Sequence, residues 1–138
     1  MKIFITGVAG FLGSHLADLM ISEGHTVAGN DNMIGGYTDN VPQNVEFHQV
    51  DCCDLENMTK AMEGCDIVYH TAATAYEGLS VFSPVLVTRN IFEASVTTIT
   101  AAIRNKVKRI VYCSSMARYG HHDEMPYKET YECRPQDP

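Results

Sequence analysis

A glycine-rich turn close to the first residue constrains the fold of this 138-residue chain more than any other segment. Residues 3–5 are an apolar run typical of a buried strand, and residues 11–22 have the apolar spacing of a helix. Gly7, Gly10 and Gly13 lead from the strand into the helix and permit a tight turn and close backbone approach. The N–H groups of such a turn and the dipole of the following helix bind anions. The segment therefore predicts a site for the pyrophosphate of a dinucleotide.

Asp31 is the second feature that indicates a dinucleotide. It follows the predicted strand at residues 25–29, at about the distance from the turn where an acid meets the hydroxyls of an adenosine ribose. The alternative is a loop acid that faces water, and the sequence leaves both interpretations open for Asp31 and for Asp51.

Composition is typical of a soluble globular domain and argues against two classes of partner. The formal net charge is −7, so the chain lacks the basic surface that binds nucleic acid or an anionic membrane. No apolar run approaches the roughly 20 residues of a membrane span. Met1-Lys2 leads directly into the first predicted strand rather than into a signal peptide. We therefore expect a cytoplasmic protein with no nucleic-acid and no membrane partner.

The cysteines and histidines lack the spacing of a metal site. The cysteine count is odd, and neither C-x-x-C nor C-x-x-H occurs, which disfavours both zinc and a disulfide framework. We expect reduced thiols, and a vicinal disulfide between Cys52 and Cys53 is the alternative. The His121-His122 pair stands in a polar stretch and is interpreted as part of a solvated loop rather than as metal ligands.

Predicted strands and helices alternate along the chain. The strands are expected at residues 2–6, 25–29, 45–50, 65–70 and 108–113. The helices are expected at residues 11–22, 55–63 and 85–105. This alternation predicts an α/β fold, a Rossmann-like doubly wound parallel sheet of about five strands with helices on both faces. We expect one domain over residues 1–138, with a polar surface loop from residue 121 onward.

Local signals mark the ends and the packing side of the helices. Gly24 and Gly64 stand where the first two helices should stop, and Asp54 is a predicted N-cap. Pro84 suits the opening of the third helix. The apolar side of the first helix is expected to consist of Phe11, Leu12, Leu16, Leu19 and Met20.

Five short motifs stand in a fixed order at the carboxyl ends of the predicted strands, where open α/β sheets bind their ligands. They are T-G-x-x-G-F-L-G at residues 6–13, D-N at 31–32, Asp51-Cys52, H-x-A-A at 70–73, and S-S-x-x-x-Y-G at 114–120. The set resembles the extended short-chain dehydrogenase/reductase family of nucleotide-sugar epimerases and dehydratases, and Cys52 is the least typical match. The resemblance covers the whole chain and implies a nucleotide-sugar substrate.

The resemblance implies a role for each cofactor-binding position. Asp31 would accept hydrogen bonds from the adenosine ribose, and its charge would repel a 2′-phosphate, which favours NAD over NADP. Asp51 and Cys52 would border the adenine, while Ala72 and Ala73 would admit the ribose on the nicotinamide side. Backbone N–H groups at the start of the first helix would bind the pyrophosphate. The implied cofactor-binding residues are Gly7, Gly10, Phe11, Leu12, Gly13, Asp31, Asn32, Asp51, Cys52, Ala72 and Ala73.

Ser115 is the catalytic residue that the resemblance implies. Its hydroxyl would hydrogen-bond the sugar oxygen that is oxidised, and the alternative is a serine that caps a turn. Dehydratases of the family carry Asp-Glu directly after this serine, whereas Met116 and Ala117 cannot transfer protons. An epimerase or a simple oxidoreductase is therefore favoured, with the sugar undetermined. Asn90 lies about one residue from the place of a family asparagine and is assigned no role.

The family's Tyr-x-x-x-Lys pair, which supplies the base and a cation that lowers its pKa, does not occur in the 138 residues. Residues 126–129 and 134–138 match the segment that precedes this pair, so the tyrosine is expected just beyond Pro138. We therefore expect a truncated sheet that lacks its substrate domain. Such a chain would bind NAD without turning over a substrate. The alternatives are a free-standing dinucleotide-binding module with a sensing or scaffold role, or activity restored by another polypeptide.

A truncated sheet also has a consequence for assembly. The helix that would follow residue 138 should cover part of the predicted helix at 85–105. Reduced cover over Ile91, Phe92 and Ile99 would leave apolar area exposed, which favours association. We therefore expect a homo-oligomer.

Overall fold

Five parallel strands form one sheet in the computed structural model, which describes residues 1–74 and 77–136. The order across the sheet is β3-β2-β1-β4-β5, and each neighbouring pair is parallel. This order reverses at β1 and confirms the predicted Rossmann-like doubly wound sheet of five strands. The strands are β1 (Lys2–Thr6), β2 (Thr26–Asn30), β3 (Val45–His48), β4 (Ile67–His70) and β5 (Arg109–Tyr112).

The three predicted helices are present, and β2 and β3 are joined by a loop with a 3₁₀ turn, Thr38–Asn40, instead of an α-helix. The α-helices are α1 (Phe11–Ser22), α2 (Leu55–Ala61), α3 (Glu77–Phe82), α4 (Pro84–Thr88) and α5 (Ala94–Arg104). A π-helical turn, Arg89–Glu93, joins α4 to α5. The helix predicted at residues 85–105 is therefore present, but its winding changes midway. The sequence does not reveal α3, because its six residues include Gly78 and are too few to show a helical period.

Side chains of β1 alternate between two hydrophobic cores, one on each face of the sheet. Phe4 packs on the face covered by α2 and α5, together with Met58. Ile3 and Ile5 pack on the opposite face, where Ala17 of α1 contacts them. Both faces of the sheet are therefore covered, as the alternation of strands and helices predicts.

The packing side of α1 differs in part from the predicted one. Phe11, Leu12 and Leu19 are 80%, 53% and 50% exposed, whereas the small residues at positions 13, 14 and 17 are buried against the sheet. The helix begins at the glycine-rich turn and approaches the sheet so closely that only small side chains fit beneath it. The large residues of α1 that are partly buried are Leu16, Met20 and Ile21.

The helix ends lie where the sequence signals place them. Asn57 N–H donates to Asp54 Oδ1 at 3.1 Å and makes Asp54 the N-cap of α2, and this bond lowers the pKa of Asp54. Gly24 follows α1 with a φ of +81°, a left-handed conformation that favours glycine. Pro84 opens α4 as predicted.

The last described residues confirm the predicted loop. Beyond a short 3₁₀ turn at Met116–Tyr119, residues 121–136 form neither helix nor strand. Tyr127 Oη donates to Gly120 O at 3.0 Å and holds this segment against the turn. None of the helices in the described part of the chain is long and apolar enough to cross a membrane. All the cysteines are free thiols, Cys52 and Cys53 included.

Candidate functional site

A cleft with a volume of about 340 Å³ opens at the carboxyl edge of the sheet. It is lined by segments that follow β1, β2, β3 and β4, as expected where the strand order reverses. Every residue that the sequence assigns to cofactor binding lines this cleft: Gly7, Gly10, Phe11, Leu12, Gly13, Asp31, Asn32, Asp51, Cys52, Ala72 and Ala73. The structure brings these residues together, and their binding roles stay predictions.

Sequence reasoning missed several further residues that line the cleft. Two of them stand inside motifs already quoted or beside them, since Thr71 is the variable position of H-x-A-A and Asn30 precedes D-N. Asn90 carried a weak signal, its nearness to the place of a family asparagine. The additional lining residues are Asn30, Ile34, Gly35, Gly36, Thr71, Thr74, Asn90 and Ala94.

The glycine-rich turn forms the part of the cleft suited to an anion. Gly7 has a φ of +68°, and a Cβ built there would lie 3.0 Å from Ala72 Cα. Gly10 N–H donates to Gly7 O at 3.0 Å, and Gly10 precedes α1 without contributing a capping side chain. The first N–H groups of α1, at Phe11 and Leu12, have no intrahelical acceptor by geometry. They are therefore free to bind a negatively charged group.

Asp31 is fixed between the end of β2 and the glycine-rich turn. Its Oδ2 accepts from Ala9 N–H at 3.2 Å, and its Oδ1 accepts from Met33 N–H at 2.8 Å. Gly36 lies so close that a Cβ there would be 2.9 Å from Oδ2. The side chain is 8% exposed and is not a loop acid that faces water. A carboxylate accepts about four hydrogen bonds, so capacity remains for two ligand hydroxyls.

Asp51 is the acid at the end of β3. Its Oδ1 accepts from Cys53 N–H at 2.8 Å, and its Oδ2 accepts from Asn32 Nδ2 at 3.3 Å and from Arg89 Nη1 at 3.1 Å. Burial opposes ionisation of this carboxyl, but these hydrogen bonds outweigh burial and lower its pKa. Asp51 is therefore a carboxylate at neutral pH.

Cys52 forms a small neutral wall beside this carboxylate. The side chain is 7% exposed, and burial raises the pKa of its thiol. Asn30 Nδ2 donates to Cys52 Sγ at 3.2 Å and to Val50 O at 2.8 Å. These contacts make Cys52 a packing residue of the cleft wall and not a nucleophile.

The Thr6 hydroxyl positions the wall that follows β4. Its oxygen accepts from the N–H groups of Thr71 and Ala72, each at 3.1 Å. With both lone pairs used, its hydrogen is left for His70 Nδ1, 2.8 Å away. The bonds hold Ala72 against Gly7, where a side chain in place of the glycine hydrogen would contact the Ala72 backbone.

His70 extends this buried network to the helical layer. Since Nδ1 accepts from Thr6, the proton of the neutral ring lies on Nε2, which donates to Ser95 Oγ at 3.0 Å. Ser95 Oγ donates in turn to Ile91 O at 2.5 Å, within the π-helical turn. His70 is 2% exposed, and burial lowers its pKa to about 4. The ring is therefore uncharged at neutral pH.

Ser115, the predicted catalytic residue, lies outside this cleft. It follows β5, next to the β4 end, and its side chain is exposed. Its Oγ accepts from Ala117 N–H at 3.1 Å and caps the 3₁₀ turn Met116–Tyr119. The capping role is thus observed, and the catalytic role stays a prediction.

The sheet, the glycine-rich turn and the fixed acid after β2 together define an α/β domain of the dinucleotide-binding class. The model of the family described as "NAD dependent epimerase/dehydratase family" matches residues 3–138, and the chain belongs to this family. The resemblance stated from the motifs is therefore confirmed.

Known relatives of this chain include UDP-sugar 4-epimerases. The chain is 32% identical to probable UDP-arabinose 4-epimerase 3 of Arabidopsis thaliana, over 92% of this chain and 34% of that protein. The UDP-glucose 4-epimerase of Thermotoga maritima, solved with UDP-glucose, superposes with a TM-score of 0.94 at 30% identity, covering 99% of this chain and 46% of that one. The UDP-glucose 4-epimerase of Thermus thermophilus, solved in complex with NAD, gives 0.93 at 33% identity, covering 99% and 45%. The chain thus spans less than half the length of these relatives.

Proposed function

We propose that this chain is the NAD-binding part of a cytoplasmic nucleotide-sugar 4-epimerase. The observation that carries the proposal is the placement of the glycine-rich turn and the buried Asp31 carboxylate around one cleft. When bound, NAD supplies the hydride acceptor and donor of the reaction. The chemistry of the chain's own residues is binding and orientation.

The residues of the cleft fit the parts of NAD in order. The N–H groups of Phe11 and Leu12 bind the pyrophosphate, and Asp31 accepts hydrogen bonds from the adenosine ribose hydroxyls. A 2′-phosphate would meet the Asp31 carboxylate, and no Lys or Arg is among the described residues that line the cleft, so NAD binds in preference to NADP. Asn32, Asp51 and Cys52 border the adenine.

The other end of the cleft receives the nicotinamide side. Ala72 and Ala73 are small enough to admit its ribose, and Thr6 and His70 hold Ala72 in place. Ser115 then hydrogen-bonds the sugar oxygen to be oxidised, next to this end of the sheet. Family membership and the UDP-sugar 4-epimerases among the relatives support a nucleotide sugar as the substrate.

By itself, the chain binds NAD without turnover. A Tyr followed four positions later by a Lys occurs nowhere in its 138 residues, so the base that would complement Ser115 is lacking. Met116 and Ala117 carry no proton-transfer group, which disfavours dehydration in favour of epimerisation.

Calorimetric titration with NAD and NADP, paired with an epimerisation assay on UDP-, GDP- and dTDP-sugars, tests the proposal. We expect NAD to bind at least about tenfold more tightly than NADP. Asp31→Asn should reduce this ratio of affinities, because it removes the negative charge that repels the 2′-phosphate. Asp39→Asn is the matched control, because Asp39 is an exposed acid in a nearby 3₁₀ turn. Absence of NAD binding would refute the proposal. Turnover by the chain alone would refute the claim that its residues lack the catalytic base.

Self-association is the second part of the proposal. Phe92, Val96, Ile99 and Ile103 recur at helical spacing and are 66%, 48%, 38% and 70% exposed, which forms an apolar stripe along α5 and the turn before it. Exposed stripes of this kind favour association of identical chains. The half-buried Ile91 lies beside the stripe.

Light scattering at micromolar concentration should therefore detect a dimer or larger species. Ile103→Glu should shift the chain to monomer, because it places a charge in the proposed interface. Leu19→Glu on α1, where Leu19 is 50% exposed, should leave the assembly unchanged. A wild-type chain that is strictly monomeric would contradict this part of the proposal.

A further inference from the structure

Arg89 connects two residues of the cleft wall although it does not line the cleft itself. Its Nη1 donates to Asp51 Oδ2 at 3.1 Å and to Asn90 Oδ1 at 3.2 Å. Asn90 Nδ2 donates in turn to Thr74 Oγ1 at 3.1 Å. This hydrogen-bond chain runs from the segment after β3 to the segment after β4. The two strands are three sheet positions apart, or about 14 Å.

A second contact ties Arg89 to the same segment after β3. Cys53 Sγ donates to Arg89 O at 3.4 Å, while Cys53 N–H donates to Asp51 Oδ1 at 2.8 Å. Asn32, in the segment after β2, donates a further hydrogen bond to Asp51. Arg89 is therefore the cationic member of a group of hydrogen bonds that fixes the orientation of the Asp51 carboxylate.

The charges of the cleft give this ion pair a consequence for an anionic ligand. Asp31 and Asp51 both line the cleft, and its lining within the described residues contains no Lys or Arg. A dinucleotide brings further negative charge, so an uncompensated Asp51 would repel it. The Arg89 and Asp51 side chains are 44% and 30% exposed, so solvent screens their interaction only in part.

The strand order places the adenine at this end of the cleft. The pyrophosphate lies at the turn after β1, and the adenosine ribose lies at Asp31 after β2. The base continues in the same direction to the next strand, β3, whose end carries Asp51. Arg89 thus acts on the adenosine half of the ligand.

We infer that Arg89 is a positioning residue for the adenosine half of the cofactor, which it supports through Asp51. It neutralises the acid at the adenine end and holds the Asp51 carboxylate in its orientation. This inference rests on the proposed function, because it takes NAD as the ligand of the cleft.

Calorimetric titration of Arg89→Ala and Arg104→Ala with NAD and with ADP tests the inference. Arg104 is the matched control, because it ends α5, its Nη1 lies 3.0 Å from Glu56 Oε1, and its side chain is 45% exposed. We expect Arg89→Ala to weaken both ligands alike, by about tenfold, and Arg104→Ala to change neither by more than about twofold. Arg89→Lys keeps the cation and should recover part of the loss, whereas Arg89→Gln should not.

The outcomes separate the inference from the proposed function. If Arg89→Ala and Arg89→Gln bind NAD as the wild type does, the inference is overturned and the proposed function stands. A loss seen with NAD but not with ADP, which lacks the ribose and the base of the nicotinamide side, also overturns it, because the effect would then lie at the nicotinamide half. Should the wild-type chain bind neither ligand, the proposed function fails and the inference fails with it.

Discussion

Replacing Gly13 by alanine should lower the stability of the domain by about 3 kcal/mol and abolish NAD binding. A Cβ at Gly13 would lie 2.1 Å from Gly7 O, 2.8 Å from Gly7 C and 2.9 Å from Val8 Cα. These are backbone atoms of the turn that forms the anion site, so relief of the clash requires α1 to move away from β1. The movement would disrupt the core around Ala17 as well as the cradle for the pyrophosphate.

The expected loss of stability is opposite to the usual effect of this substitution. Glycine to alanine within a helix ordinarily stabilises a protein by roughly 0.5–1 kcal/mol. Gly78 in α3 is the matched control, since nothing lies within 4 Å of a Cβ built there, and Gly78→Ala should be neutral or slightly stabilising. Thermal unfolding should show Gly13→Ala melting roughly 10 °C lower. An alanine at residue 13 that melts normally and binds NAD would contradict the close approach of α1 to the turn.

Acid should destabilise the wild-type domain between pH 6.5 and about 4 through His70. Burial lowers the folded-state pKa of His70 from 6.5 to about 4. Between these two pH values the imidazole is protonated in the unfolded chain and neutral in the folded one, which favours unfolding. The contribution of His70 is fully present above pH 6.5 and declines as the pH falls. The difference in pKa corresponds to a loss on the order of 3 kcal/mol.

Unfolding by urea at a series of pH values measures this loss. His70→Asn keeps an acceptor for Thr6 but cannot titrate, so its free energy of unfolding should vary much less over the same range. The groups that face His70 are Thr6, Ser95 and Tyr112. His121→Asn, at an exposed histidine, should retain the wild-type dependence. Parallel curves for the wild type and His70→Asn would contradict the buried neutral ring.

The contents of the cleft were predictable because parallel strands end at one edge of the sheet. The register aligns Thr6 with both Asn30 and His70, so the residues after β1, β2 and β4 necessarily meet. Short motifs at those ends are therefore sufficient to group Gly7, Asp31 and the later cleft residues from the sequence alone. Ser115 follows β5 at the same end of the sheet, but its side chain caps a turn and lies outside the cleft.

Contacts between distant segments were beyond prediction from the sequence. Arg89 and Asp51 are 38 positions apart, and nothing in the local pattern pairs them. The packing side of α1 was predicted correctly at Leu16 and Met20 and wrongly at Phe11, Leu12 and Leu19, for a related reason. Apolar spacing identifies large side chains such as Phe11, but it does not reveal that the close approach at Gly13 admits only small ones.

The π-helical turn Arg89–Glu93 changes which side of the helix faces the sheet as α4 continues into α5. Each residue of an α-helix advances the winding by about 100°. The wider turn therefore lets Asn90 face the cleft while Ser95, one turn later, faces His70 beneath it. Loss of a single residue there would rotate α5 against the sheet and misplace one set of contacts. This one turn therefore sets both the position of Asn90 in the cleft and the hydrogen bond between Ser95 and His70 in the core.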